Sequence, residues 1–194
     1  MPTVYYAPAG CSLVPHIVQE WIGAPYKAVQ IRVGSMELLA VNPAGAVPTF
    51  REDSGWLLTR AGAILDDLGQ KLSEAGLSGG DSIRAKCWSA FLTSELYASF
   101  WLIFMPNRHT INKSEAARQA TVGAGVKLAT QQLGIPNRHL GGRSVIDAYA
   151  FPMIRFGAKI LPGGLQNFSD VQRLRDRIAA GAAVQKIIAR EGRA

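Results

Sequence analysis

Tyr6-Ala7-Pro8-Ala9-Gly10-Cys11-Ser12-Leu13-Val14-Pro15-His16-Ile17 is the stretch on which the reading of this chain turns. It leaves the short Val- and Tyr-rich run of residues 3–6, which reads as a strand. It then enters Val14 to Ile22, where Val14, Ile17, Val18 and Trp21 recur at i, i+3, i+4, i+7 and mark an amphipathic helix. Cys11 therefore stands in the opening turn of a helix. There the unpaired backbone N–H groups and the positive end of the dipole favour thiolate over thiol and make the sulfur reactive. A second reading stands beside it, since free cysteine is usually a small, buried and inert residue. Position alone leaves the two open.

On the C-terminal side, residues 26–31 read as a second strand, and Ser35 to Val41 as a short helical or loop segment. Thr49-Phe50-Arg51-Glu52, a turn at Asp53-Ser54-Gly55 and Trp56-Leu57-Leu58 make a hairpin. A helix from Arg60 to Leu72 turns Ile64, Leu65 and Leu68 inward. The order β-α-β, short helix, β-β-α is that of a thioredoxin-like half. Ser73 to Asp81 is small, polar and Gly-rich and reads as a linker, giving domains at 1–72 and 82–194. The second shows no strand pattern. Ile83, Cys87, Trp88, Phe91, Leu92, Leu96 and Phe100 repeat at helical spacing up to Met105-Pro106-Asn107, and Ser114–Leu133, 145–161 and 170–190 complete an all-helical bundle. The fold class expected is an α/β thioredoxin-like N-terminal domain followed by an all-α domain.

The composition fits a soluble globular protein: 194 residues, 48% hydrophobic and 18% charged. No apolar run approaches the roughly 18 residues of a membrane span. The N-terminus carries neither a basic stretch nor a long apolar core, so no membrane partner and a cytoplasmic location are expected. Cys11 and Cys87 cannot form a disulfide framework, and with His16, His109 and His139 scattered, no metal is expected. The net charge of +7 invites a nucleic-acid partner. Yet Arg173, Arg175, Arg177, Lys186, Arg190 and Arg193 spread over a helical pattern without interleaved aromatics, which reads as a solvated face. No nucleic-acid partner is expected; an anionic small ligand suits the balance.

The run Tyr6 to Ile17 resembles the N-terminal signature of the bacterial beta-class glutathione transferases. Three further stretches are similar to the same family. Asn42-Pro43-Ala44-Gly45-Ala46-Val47-Pro48 matches its N-P-x-G-x-V-P loop. Leu57-Leu58-Thr59-Arg60-Ala61-Gly62-Ala63-Ile64 follows the frame of its L-L-T-E-S segment. Ser144-Val145-Ile146-Asp147-Ala148-Tyr149 resembles the S/T-x-x-D-A-Y opening of its long central helix. The four are collinear and span nearly the whole chain.

The resemblance implies a glutathione transferase fold, glutathione as co-substrate and a homodimer. It implies a detoxification enzyme that conjugates glutathione to a small hydrophobic electrophile or exchanges thiol and disulfide with it. The catalytic candidates are Cys11, foremost for a mixed disulfide, with Ser12 and Tyr6 as hydrogen-bond donors. Val47, Pro48, Arg60 and Ala61 are the glutathione-binding candidates, and Val47–Pro48 is expected to be cis. Tyr97, Trp101 and Phe104 are the acceptor-site candidates, although Tyr97 and Trp101 at i, i+4 also read as core. Ser144 and Asp147 read as a capping box with a structural role only.

Departures from the family run alongside. Arg60 stands where the family has an acidic residue for the γ-glutamyl end, and Ala61 where a hydroxyl is frequent. Glu95-Leu96-Tyr97-Ala98 replaces E-L-H-K, and Arg32 to Val41 is shortened and lacks an expected lysine. Arg60 keeps open the alternative of a non-catalytic binding or regulatory protein of the stringent starvation protein A kind, with the glutathione site lost.

Overall fold

The structure, a computed structural model, describes residues 1–8, 10–74, 83–135 and 144–192. Its N-terminal half runs β1 (Thr3–Tyr6), α1 (Leu13–Ile22), β2 (Lys27–Gln30), α2 (Met36–Val41), β3 (Thr49–Arg51), β4 (Leu57–Thr59) and α3 (Ala61–Glu74). The strands form one mixed sheet in the order β2-β1-β3-β4. β1 pairs parallel with β2 and antiparallel with β3, setting Val4 opposite both Ala28 and Phe50. All four residues of β1 are buried, as the uninterrupted Thr-Val-Tyr-Tyr run requires of a central strand. This is the thioredoxin-like arrangement expected. α3 continues through Glu74, two residues into the expected linker; residues 75–81 of that linker lie outside the described residues.

The rest is helical: α4 (Ile83–Phe91), a π-helical stretch (Leu92–Leu96), α5 (Tyr97–Phe104), a 3₁₀ turn (Pro106–Arg108), α6 (Glu115–Leu133), α7 (Val145–Ile160), α8 (Ser169–Ala179) and α9 (Ala182–Glu191). Two expectations are corrected. The helix from Ile83 to Met105 is not uniformly α, and Ile83 and Cys87 face solvent rather than core. Thr93 Oγ1 donates to the Ser89 carbonyl and Ser94 Oγ to the Ala90 carbonyl, each at 2.8 Å. These hydroxyls take the carbonyls on which the α pattern depends, and the helix widens there. The expected helix over 170–190 is two helices. Gly181, poor in helix propensity, adopts extended backbone and becomes the N-cap of α9.

α1 is the hub that joins the halves, packing against α3, α7 and α9. α7 is buried along most of its length and opens with the expected capping box: Ser144 Oγ accepts from the Asp147 N–H at 3.2 Å, and Asp147 Oδ2 from the Ser144 N–H at 3.3 Å. At the other end of the chain, His16 Nδ1 meets Glu191 Oε1 at 2.7 Å with both side chains buried, tying α1 to α9. α5 and α6 approach closely at Gly125, where a Cβ would sit 2.8 Å from Ile103 and 2.9 Å from Leu102.

Candidate active site

The turn after β1 is held by Ser12. Its hydroxyl donates to the Ala7 carbonyl at 3.0 Å and accepts from the Ala7 N–H at 3.1 Å. That reciprocal pair closes the turn and leaves Cys11 immediately before α1, with its sulfur directed across the fold. The Cys11 S–H donates to the Val47 carbonyl at 3.2 Å, and the Tyr97 hydroxyl donates to Cys11 Sγ at 3.3 Å. Three distant segments thus meet at one sulfur.

The Val47 carbonyl is presented by a loop that Asn42 organises. Asn42 Nδ2 donates to the Ala46 carbonyl at 2.8 Å and to Thr49 Oγ1 at 3.1 Å, while its Oδ1 accepts from the Ala44 N–H at 3.0 Å. Gly45, at φ 60°, makes the bend a side chain would resist. The Val47–Pro48 bond is cis, as the motif leads one to expect. Beyond β4, Arg60 adopts φ 78° and its carbonyl accepts from the Ile64 N–H at 3.1 Å, opening α3. The first N–H groups of α3 have no intrahelical partner to bind.

These parts enclose a cavity of about 340 Å³, its wall including Cys11, Val47, Pro48, Arg60, Tyr97 and Tyr149. Burial pushes the Cys11 thiol above its ordinary range; the Tyr97 hydrogen bond and the backbone N–H groups of Cys11 and Ser12 pull the other way without overcoming it. Of the two readings left open at Cys11, burial favours the thiol: Cys11 is 5% exposed, and burial raises its pKa. Burial also raises the Tyr97 and Tyr149 phenols, and negative charge on Cys11 would raise both further. Both remain donors.

The expected site residues divide. Cys11, Val47, Pro48, Arg60, Ala61, Tyr97 and Trp101 share the cavity wall. Ser12 and Tyr6 do not. Ser12 is fully buried with its hydroxyl committed to Ala7, and Tyr6 packs its ring 4.9 Å from that of His16. Neither lines the cavity, so the structure does not bring them together with the other candidates. Phe104 does not line it either: it points away, packing on Phe100 and Phe156 at 6.0 and 5.2 Å. Tyr97 lies against Trp101 at 5.7 Å and yet reaches Cys11, with which it lines the cavity.

Sequence reasoning missed Asn42 and Tyr149. Asn42 sits in the N-P-x-G-x-V-P motif and could have been found there as the brace of its loop. Tyr149 follows the capping box, whose structural reading hid it. Among the described residues, no group of three or more His, Cys, Asp or Glu side chains is placed to hold a metal, and no helix is long and apolar enough to cross a membrane.

No family model matches the chain. A curated protein of Xanthomonas campestris named glutathione S-transferase is 29% identical over 204 residues, covering 97% of this chain and 98% of that protein. The solved glutathione S-transferase of Xylella fastidiosa superposes with a TM-score of 0.86 at 26% identity, over 99% of both chains. A sphingomonad glutathione S-transferase solved in complex with glutathione superposes with a TM-score of 0.77 at 27% identity, over 99% of this chain and 100% of that one.

Proposed function

Because the chain belongs to the glutathione S-transferase family, we propose that it binds glutathione in the Cys11 cavity and conjugates it to a small hydrophobic electrophile, in a detoxifying role. The observation that carries this reading is the convergence of three elements on one cavity: the Cys11 sulfur, the Val47 backbone and the open N-terminus of α3. The Val47 peptide suits the cysteinyl unit, pairing with it as an added strand would. Pro48 fixes the direction of that segment. The N–H groups opening α3 at Ala61 suit the γ-glutamyl carboxylate, with Arg60 beside them. Tyr97 and Trp101 offer an aromatic wall to the apolar acceptor.

Conjugation needs little from the protein beyond position and charge. The glutathione proton passes to solvent, the thiolate attacks the electrophilic carbon, and the leaving group departs with its electron pair. Exchange with a disulfide is the companion activity of the same site. There the Cys11 thiolate attacks the glutathione sulfur of a mixed disulfide and expels the other thiolate. A homodimer in the cytoplasm, with residues 1–72 and 82–194 as its two domains, completes the reading. Exposed Trp56 and Leu128 offer apolar surface to a second copy.

Calorimetric titration with glutathione, followed by the rate of chloride release from a nitro-activated aryl chloride, tests the proposal. Saturable binding with glutathione-dependent turnover is expected. Absence of binding overturns the assignment, and binding without turnover returns the chain to a binding role.

A further inference from the structure

Tyr149 lies in the first turns of α7 and is 1% exposed, yet it lines the Cys11 cavity. Its phenol takes no hydrogen-bond partner among the described residues. Its oxygen is not among the buried polar atoms left without a partner among the described residues, so it opens onto the cavity it lines. Tyr97 differs, since its hydroxyl is already engaged by Cys11. Cys11 in turn is satisfied by Tyr97 and Val47. The Tyr149 donor therefore serves no acceptor among the described residues.

We propose that the Tyr149 hydroxyl is the donor for the sulfur of a thiol ligand in this cavity, holding that sulfur as thiolate. The proposal rests on the glutathione reading above and adds a residue to it. A chain paired along Val47 sets its sulfur beside Cys11, in the cavity that the Tyr149 phenol also lines. On ionisation the ligand's proton leaves to solvent, and the O–H of Tyr149 meets the negative sulfur without giving up its own proton. The phenol suits that role, because burial and the nearby Cys11 locus keep it protonated far above neutral pH. A charge-assisted hydrogen bond in a site of low polarity is of the stronger kind.

The decisive experiment uses a Cys11→Ser background, in which the ligand sulfur titrates beside exposed Cys87 alone. Thiolate absorbance, taken as the difference between glutathione-saturated and free protein, is followed against pH with and without Tyr149→Phe. The substitution is expected to raise the midpoint by about one pH unit, a roughly tenfold loss of thiolate. The melting temperature of the ligand-free protein should fall by no more than its error, since the hydroxyl has no partner to lose. An unmoved midpoint with glutathione bound overturns the Tyr149 assignment alone. A variant that melts markedly lower, or does not fold, overturns it too, because the hydroxyl then serves the structure. If the parent itself binds no glutathione by calorimetry, both this inference and the reading beneath it fall.

Discussion

Tyr97 in α5 donates a hydrogen bond to Cys11 Sγ at 3.3 Å across 86 positions of sequence. The contact joins the helical half to the cavity, because the sulfur delivered by the β1–α1 turn meets its donor on a helix of the C-terminal half. It also sets the balance at Cys11. Burial holds the proton on, while the phenol favours the thiolate it can bond.

That balance fixes an order of reactivity. At neutral pH, alkylation should reach exposed Cys87 first and buried Cys11 last, with at least a roughly tenfold difference in rate. Because the Cys11 thiol is raised, its rate should keep climbing with pH beyond the ordinary thiol range. Tyr97→Phe removes a bond that favours the thiolate, so it should slow Cys11 by about tenfold and leave Cys87 unchanged. Peptide mapping of alkylated protein across pH reads all three. Cys11 labelling first at pH 7 would show that the helix dipole prevails over burial.

The buried pair that joins the first turns of α1 to α9 should be costly to break. Glu191→Ala leaves a buried His16 ring nitrogen without its carboxylate partner, a loss of about 1–3 kcal/mol where a surface pair would lose less than about 1. Glu191→Gln keeps an acceptor and should recover part of that. Urea unfolding of the three proteins measures it. A loss below about 1 kcal/mol for the alanine variant would mean that α9 contributes little to holding α1.

Much of the fold and part of the site are legible in the sequence, and the reasons differ by residue. Val14, Ile17 and Val18 recur at the helical period because one face of α1 is core, and periodicity records that kind of local fact. Val47 and Pro48 are reached through a motif whose loop geometry depends on neighbours within a few positions. Ser12 and Tyr6 are misplaced by spacing because their partners, Ala7 and His16, decide where a hydroxyl or a ring turns, and spacing does not reveal orientation. At Cys11 the helix dipole acts as position implies. Burial, which the tertiary packing sets, outweighs the backbone N–H groups and the Tyr97 hydrogen bond that favour the thiolate. Tyr149 is hidden for a related reason: the opening of one helix carries both a structural cap and an open phenol.

Packing between α5 and α6 offers a check independent of the chemistry. A methyl at Gly125 would meet Leu102 at 2.9 Å, Ile103 at 2.8 Å and the Ser99 carbonyl at 3.0 Å. Gly125→Ala gains helix propensity worth up to about 1 kcal/mol. It should nonetheless destabilise by about 1–3 kcal/mol, because two helices must separate to admit it. A more stable variant in thermal unfolding would show that the helices yield freely. Since α5 carries Tyr97, the same variant should also slow Cys11 alkylation.

Arg60 should weaken glutathione binding, and Arg60→Glu should tighten it. Arg60 is the one non-glycine residue at positive φ among the described residues, a conformation that costs an L-residue about 1 kcal/mol. It lines the cavity with Cys11 and Val47, and its guanidinium forms no ion pair among the described residues. A γ-glutamyl group received at the start of α3 brings its ammonium to that guanidinium. At about 4–6 Å and an effective dielectric near 20, the repulsion is about 3–4 kcal/mol before screening. Arg60 is exposed, so solvent and salt reduce this to about 1–2 kcal/mol, still about tenfold in affinity. Glutamate removes the repulsion and supplies an acceptor, so both changes act in one direction. Arg60→Gly separates them: it relieves the backbone and the repulsion without adding the acceptor, and should fall between. Calorimetry of the three proteins at two salt concentrations gives the answer, with the gap narrowing at high salt. Equal affinities would mean that the long side chain turns outward to water. Weaker binding by the glutamate variant would mean that Arg60 holds a ligand carboxylate, and that the ligand this site prefers carries more negative charge than glutathione.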